Sequence, residues 1–231
     1  MRYCHFILSL LFLMMTAMTG CAQDKQAATP SGSDSNSLLL KAAAANDTAV
    51  IKQLLAGKTN TEARDNKQRT ALMIATYHHH TAAAALLTAA GADVNAQDDM
   101  LNSPFLYAGA EGYLDILQLC LKAGANYKVY NRYGGTALIP ACERGHVEVV
   151  RTLLQDKTFP VDHVNRLGWT ALLEAIILSN GGPAHVQIVQ LLLDAGCKVN
   201  LADKDGITPL AHARQRGFKE IAGMLESAGA K

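Results

Sequence analysis

The chain has 231 residues, with 21 Lys plus Arg against 20 Asp plus Glu, and 49% of its residues are hydrophobic. A net charge of +1 supplies no basic excess of the kind that holds a phosphate backbone, so nucleic acid is excluded as the expected partner. Residues 1–20 contribute Arg2 and no acid, so beyond them 20 basic residues balance 20 acidic ones.

From Phe6 to Met18 the chain is apolar apart from Ser9 and Thr16, and Arg2 is the only charge before Asp24. That run falls short of the roughly 20 residues a spanning helix needs and has the form of an export signal, residues 1–20, that is removed. Met18-Thr19-Gly20-Cys21 resembles the lipobox of bacterial lipoproteins, with Met18 where that family usually has Leu. The resemblance implies cleavage before Cys21 and acylation of its thiol and new amine. Several acyl chains on one residue would hold the protein to the periplasmic side of a bacterial membrane. Ala22, where inner-membrane lipoproteins of the enterobacterial type tend to carry Asp, implies the outer membrane. The alternative is an ordinary secretory signal in which Cys21 is incidental.

Residues 21–36 hold the expected lipidated Cys and then AQDKQAATPSGSDSN, which has no apolar periodicity and cannot bury enough surface to offset its ordering entropy. A flexible tether is expected there. Beyond it the chain repeats. The segments RTALMIA, NSPFLYA, GTALIPA, WTALLEA and ITPLAHA place Thr or Ser at 70, 103, 136, 170 and 208, at spacings of 33, 33, 34 and 38. Each of these residues is expected to N-cap a short helix, with Pro104 and Pro209 at the first helical position. Leu72, Phe105, Leu138, Leu172 and Leu210 follow, each with an Ala three positions on. A second helix carries an apolar stripe, as in Val149-Val150 with Leu153-Leu154, and ends at Gly91, Gly124, Gly196 or Gly229. Pro140 falls early in its helix and removes one hydrogen bond there.

With Gly145-His146 and Gly91-Ala92-Asp93, this pattern resembles the ankyrin repeat family, whose T-P-L-H-x-A signature and 33-residue period it shares. The resemblance implies an all-α repeat solenoid over 37–231, about six helix-turn-helix units joined by β-hairpin-like turns. The units fall near 37–64, 65–97, 98–130, 131–164, 165–202 and 203–231. Polar residues in the first and last units read as end caps, so the array is expected to be complete. Gln68 and Leu101 stand where the family's hairpin has Gly, and Lys157-Thr158 replace its Gly-Ala, which puts the local geometry in question at those three places.

No nucleophile–base pair or phosphate-binding glycine loop is legible, so the chain is expected not to be an enzyme and to need no cofactor. Successive histidines on a helix point apart, so His78, His79 and His80 read as a polar turn, with metal or haem ligation as the alternative. Cys120 and Cys142 occupy apolar positions and are expected to be free buried thiols.

The family resemblance implies binding of another protein through turn tips and the exposed side of the first helices, where Ile74, Tyr107, Arg144, Glu174 and Leu178 fall. Tyr107, Tyr133, Arg144, Leu167 and Trp169 are the expected anchors, since Tyr, Trp and Arg dominate contact surfaces. For Trp169 the alternative is packing against a neighbouring hairpin. The inserted SNGGPA, residues 179–184, reads as a partner loop or a tolerated decoration. A tethered adaptor, a chaperone-like factor and a toxin-neutralising immunity protein are the roles expected of such a scaffold, and a metal or haem binder is the alternative.

Overall fold

The computed structural model describes residues 32–231. The signal at 1–20, Cys21 and most of the predicted tether lie outside the described residues. Within them the chain forms twelve helices and no strand.

The helices fall into six pairs: α1 (Gly32–Ala44) with α2 (Thr48–Ala56), α3 (Ala71–Tyr77) with α4 (Thr81–Ala89), and α5 (Pro104–Glu111) with α6 (Leu114–Lys122). Then follow α7 (Leu138–Glu143) with α8 (Val147–Leu153), α9 (Ala171–Ile177) with α10 (Pro183–Asp194), and α11 (Pro209–Gln215) with α12 (Lys219–Ser227). The expected all-α solenoid is the observed architecture. One boundary differs, because α1 begins at Gly32 and makes residues 32–36 of the expected tether helical.

First helices pack on first helices and second on second along the whole array. Leu72, Phe105, Leu138, Leu172 and Leu210 are each no more than 2% exposed and form a continuous row, with Ala75, Ala108, Ala141, Ala175 and Ala213 fully buried behind them. Those alanines let the first helices approach closely. At Gly109 an added Cβ would come within 2.8 Å of the Ala137 Cβ, so the step from α5 to α7 is closed to any side chain. Each pair buries its stripe only against its neighbours, so the core is shared along the stack.

Thr70, Ser103, Thr170 and Thr208 cap their helices as expected, each accepting from the backbone N–H three residues on. Thr136 does not. Pro140 has no N–H to give to the Thr136 carbonyl, α7 starts one residue later, and the buried Thr136 Oγ1 has no hydrogen-bond partner. The five turns between units share one pattern, in which an Asp or Asn at 65, 98, 131, 165 or 203 takes the amide of the residue four positions on with its side chain. Gln68 and Leu101 keep this geometry by adopting the left-handed conformation, φ 59° and 57°, that Gly134, Gly168 and Gly206 adopt in the other turns.

The insertion at 179–184 packs against the last unit. Ser179 is buried, its carbonyl accepts from Arg216 Nη2 at 2.6 Å, and Gly181 lies so close to Phe218 that an added Cβ would fall 2.5 Å from the ring.

Candidate functional site

The turns and first helices of units three to five enclose a groove of about 350 Å³. Four of the five expected anchors, Tyr107, Tyr133, Arg144 and Leu167, line it together; Trp169 does not and stands half-buried in its turn. Tyr133, Leu167 and Leu178 are 51%, 47% and 47% exposed, an unusual density of bare apolar surface around one opening.

Local structure holds these side chains in place. Asn131 Oδ1 accepts from the amides of Tyr133 and Gly135, both at 2.9 Å, and Asn165 Oδ1 accepts from those of Leu167 and Trp169. The Arg166 amide donates to the Tyr133 carbonyl at 2.8 Å, which ties the two turn tips into one surface. The Arg132 guanidinium lies 4.9 Å from the centre of the Tyr133 ring. Across the groove, Arg144 Nη1 bonds Glu111 Oε1 at 2.5 Å and the Ala110 carbonyl at 2.9 Å, so this cation is already matched.

Glu174 departs from the expected exposed position. It is 5% exposed, and so is Ile74 at the equivalent place in unit two. Asn165 Nδ2 donates to Glu174 Oε1 at 2.7 Å, while burial first and the nearby Glu143 second push the carboxyl up to about 7. Glu143 is half-buried on α7, and its carbonyl accepts from His185 Nε2 of α10 at 2.9 Å. Comparing the repeats carries the signal for Glu174. Four residues past the cap stand Ile74, Tyr107, Pro140, Glu174 and His212, of which one is an acid.

From the groove the aromatic surface continues through Tyr107 to Tyr77, with ring centres 4.5 Å apart, and to Tyr113 at 6.2 Å. The histidines split, with the rings of His78 and His80 stacked 5.4 Å apart and His79 on its own side. His79 stacks on Tyr113 and meets Asp115 Oδ1 at 3.0 Å, whereas His80 Nδ1 turns to the Ala43 carbonyl. Among the described residues no three His, Cys, Asp or Glu side chains converge as a metal cage. Cys120 and Cys142 are buried and unbridged, and burial pushes the Cys120 thiol up to about 12, which makes it inert.

A family model described as ankyrin repeats (3 copies) matches residues 7–98 and 105–203. The chain belongs to the ankyrin repeat family. It is 41% identical over 191 residues to the ankyrin repeat protein YahD of Escherichia coli (strain K12), covering 83% of this chain and 95% of that one. It is similar to the crystal structure of an ankyrin repeat domain from Acinetobacter baumannii AYE, 60% identical with a TM-score of 0.82, over 84% of this chain and 98% of that one. The ankyrin repeat domain of Bcl-3, a member of the IkappaB protein family, superposes with a TM-score of 0.75 at 25% identity, over 84% of this chain and 86% of that one. Ankyrin repeats are protein-binding scaffolds, typically without catalytic activity, and this chain has their architecture throughout units one to six.

Proposed function

We propose that this ankyrin repeat protein is a non-catalytic binder that captures a partner protein in the groove over units three to five. In this reading a lipid on Cys21 holds it at the periplasmic side of a bacterial membrane, the outer membrane by the nature of Ala22. The exposed Tyr133, Leu167 and Leu178 around one 350 Å³ groove carry the first part. The apolar run ending in Met18-Thr19-Gly20-Cys21 supports the second.

The test is to cross-link the full chain in intact cells, identify the captured protein, and measure the purified pair with and without Tyr133→Ala and Leu167→Ala. Binding is expected to weaken at least tenfold in the double variant. Equal affinity would move the contact off the groove. The identity of the captured protein assigns the role, since an enzyme client indicates an adaptor or chaperone-like factor and a toxin indicates an immunity protein. For the anchor, Cys21→Ser is expected to shift the protein from the membrane to the soluble fraction, and unchanged partitioning would end the lipoprotein reading.

A further inference from the structure

The groove contains one feature that apolar contact does not explain. Glu143 and Glu174 come from consecutive first helices, α7 and α9, and among the described residues neither carboxylate has an ion-pair partner. The two arginines that line the groove are engaged elsewhere, Arg144 with Glu111 and Arg132 against the Tyr133 ring. Glu174 is 95% buried on the 5% exposure above, one oxygen accepts from Asn165, and Oε2 accepts no hydrogen bond from any described residue. Unit six resolves the same place internally, since His212 Nε2 lies 2.7 Å from Asp203 Oδ2. Unit five has an acid in the position of that His and an uncharged Asn in the position of that Asp, so its charge faces the groove without a match.

We infer that the groove takes an arginine side chain of the partner protein, its guanidinium seated against the carboxylates of Glu143 and Glu174 and its stem lying along Tyr133 and Leu167. The inference rests on the proposed binding groove and names the chemistry of its occupant. A planar guanidinium supplies two parallel N–H donors to a carboxylate, and its aliphatic stem covers apolar surface, which the exposed Tyr133 and Leu167 provide. A buried carboxyl whose charge is opposed by burial and by a second acid gains most from an incoming cation.

The experiment titrates the isotopically labelled full chain with N-acetyl-arginine methylamide at about pH 8, following backbone amide shifts up to about 50 mM probe, because one side chain binds in the millimolar range at best. The uncharged isostere N-acetyl-citrulline methylamide and the lysine derivative run beside it. The expected result is saturable shifts at Gly135, Leu167 and Leu178 with the arginine probe, none with citrulline, and affinity weakened about tenfold in Glu174→Gln and in Glu143→Gln. The half-buried Glu143 guards against a fold defect at Glu174, and thermal melts of both variants verify that they fold. Absence of shifts, an equal response to citrulline, or unchanged affinity in both variants overturns the inference. Lysine binding as tightly as arginine overturns the assignment to a guanidinium. Loss of the captured partner in the Tyr133→Ala, Leu167→Ala variant stands apart from all of these, so the groove reading can survive failure of its arginine occupant, and the reverse.

Discussion

Asn165 Nδ2 donates to Glu174 Oε1 at 2.7 Å, and the next unit repeats the contact with its chemistry exchanged, His212 to Asp203 at the same distance and the same nine-residue separation. One scaffold position thus accepts either an amide–acid or an acid–imidazole pair. Asp fills the Asn165 position in three of the other turns, so Asn165→Asp keeps the turn but sets two carboxylates at hydrogen-bond distance. It is expected to lower stability by about 1–3 kcal/mol at neutral pH, and adding Glu174→His is expected to recover most of the loss by rebuilding the pair of unit six. Urea unfolding of the two variants measures this, and a double variant no better than the single would show that the positions are not interchangeable.

Glu174 also predicts a pH dependence. The folded-state carboxyl is raised from 4.5 to about 7, so the folded protein holds a proton that the unfolded chain has lost between those values. Stability from this group is therefore fully present below about pH 4.5 and falls as pH rises to about 7, by about 3 kcal/mol at most. The groups that act on it are Glu143 and the Cys142 thiol of α7 and Asn165 of the turn. Asp65, Asp115 and Asp203, each held below its usual value, act in the opposite sense in more acid solution. Glu174→Gln should therefore gain on wild type as pH rises from about 5 to about 8, and a constant gap between their melting curves would count against a raised carboxyl.

The caps separate cleanly into two classes. Thr170→Ala is expected to cost about 1 kcal/mol, because its Oγ1 accepts from the Leu173 amide at 3.2 Å. Thr136→Ala is expected to cost at most a few tenths, since the hydroxyl it removes is buried and unpaired. Equal losses by thermal denaturation would mean that Thr136 caps α7 in solution.

The period of the Thr and Ser caps and the buried row from Leu72 to Leu210 were legible because both arise from local chemistry repeated every 33 to 38 residues. The uncapped Thr136 was not, although Pro140 was visible, because the missing N–H deprives the Thr136 carbonyl four residues upstream and the helix then starts one residue later. Glu174 has the sequence pattern of a surface residue for a similar reason. An acid on a first helix looks solvated until the turn carrying Asn165 and the preceding helix carrying Glu143 close over it. The inserted residues 179–184 gave no hint that they dock on Phe218, a contact between sequence-distant units. The groove's rim was legible, because Tyr133 and Leu167 are large apolar residues at turn tips where nothing in the chain needs them.

Leu101 adopts φ 57°, a conformation that costs a residue with a Cβ roughly 1–2 kcal/mol, and at 40% exposure it recovers little by packing. Leu101→Gly is expected to raise stability by up to about 1 kcal/mol once the greater freedom of the unfolded chain is deducted. Gly168→Ala is expected to act oppositely, since at φ 91° its new Cβ would also lie 2.6 Å from Lys204 Cγ. Chemical denaturation of the pair measures both signs, and a destabilised Leu101→Gly would mean that the exposed leucine is held by contacts worth more than its strain.

Tyr133 and Trp169 belong to successive turns, two residues past Asn131 and four past Asn165, and they differ in what they present. Tyr133 is 51% exposed and lines the groove, whereas Trp169 is half-buried and outside it. Truncation of an exposed anchor removes partner contact and little of the fold, while truncation of a half-buried ring removes intramolecular packing first. Tyr133→Ala is therefore expected to weaken partner binding by about 2 kcal/mol with a nearly unchanged melting temperature. Trp169→Ala is expected to lower stability by about 1–3 kcal/mol with a smaller effect on affinity. Parallel melts and affinity measurements on the purified pair separate the two, and a Trp169→Ala variant that melts as wild type but loses its partner would make the indole an anchor and extend the contact surface beyond the groove.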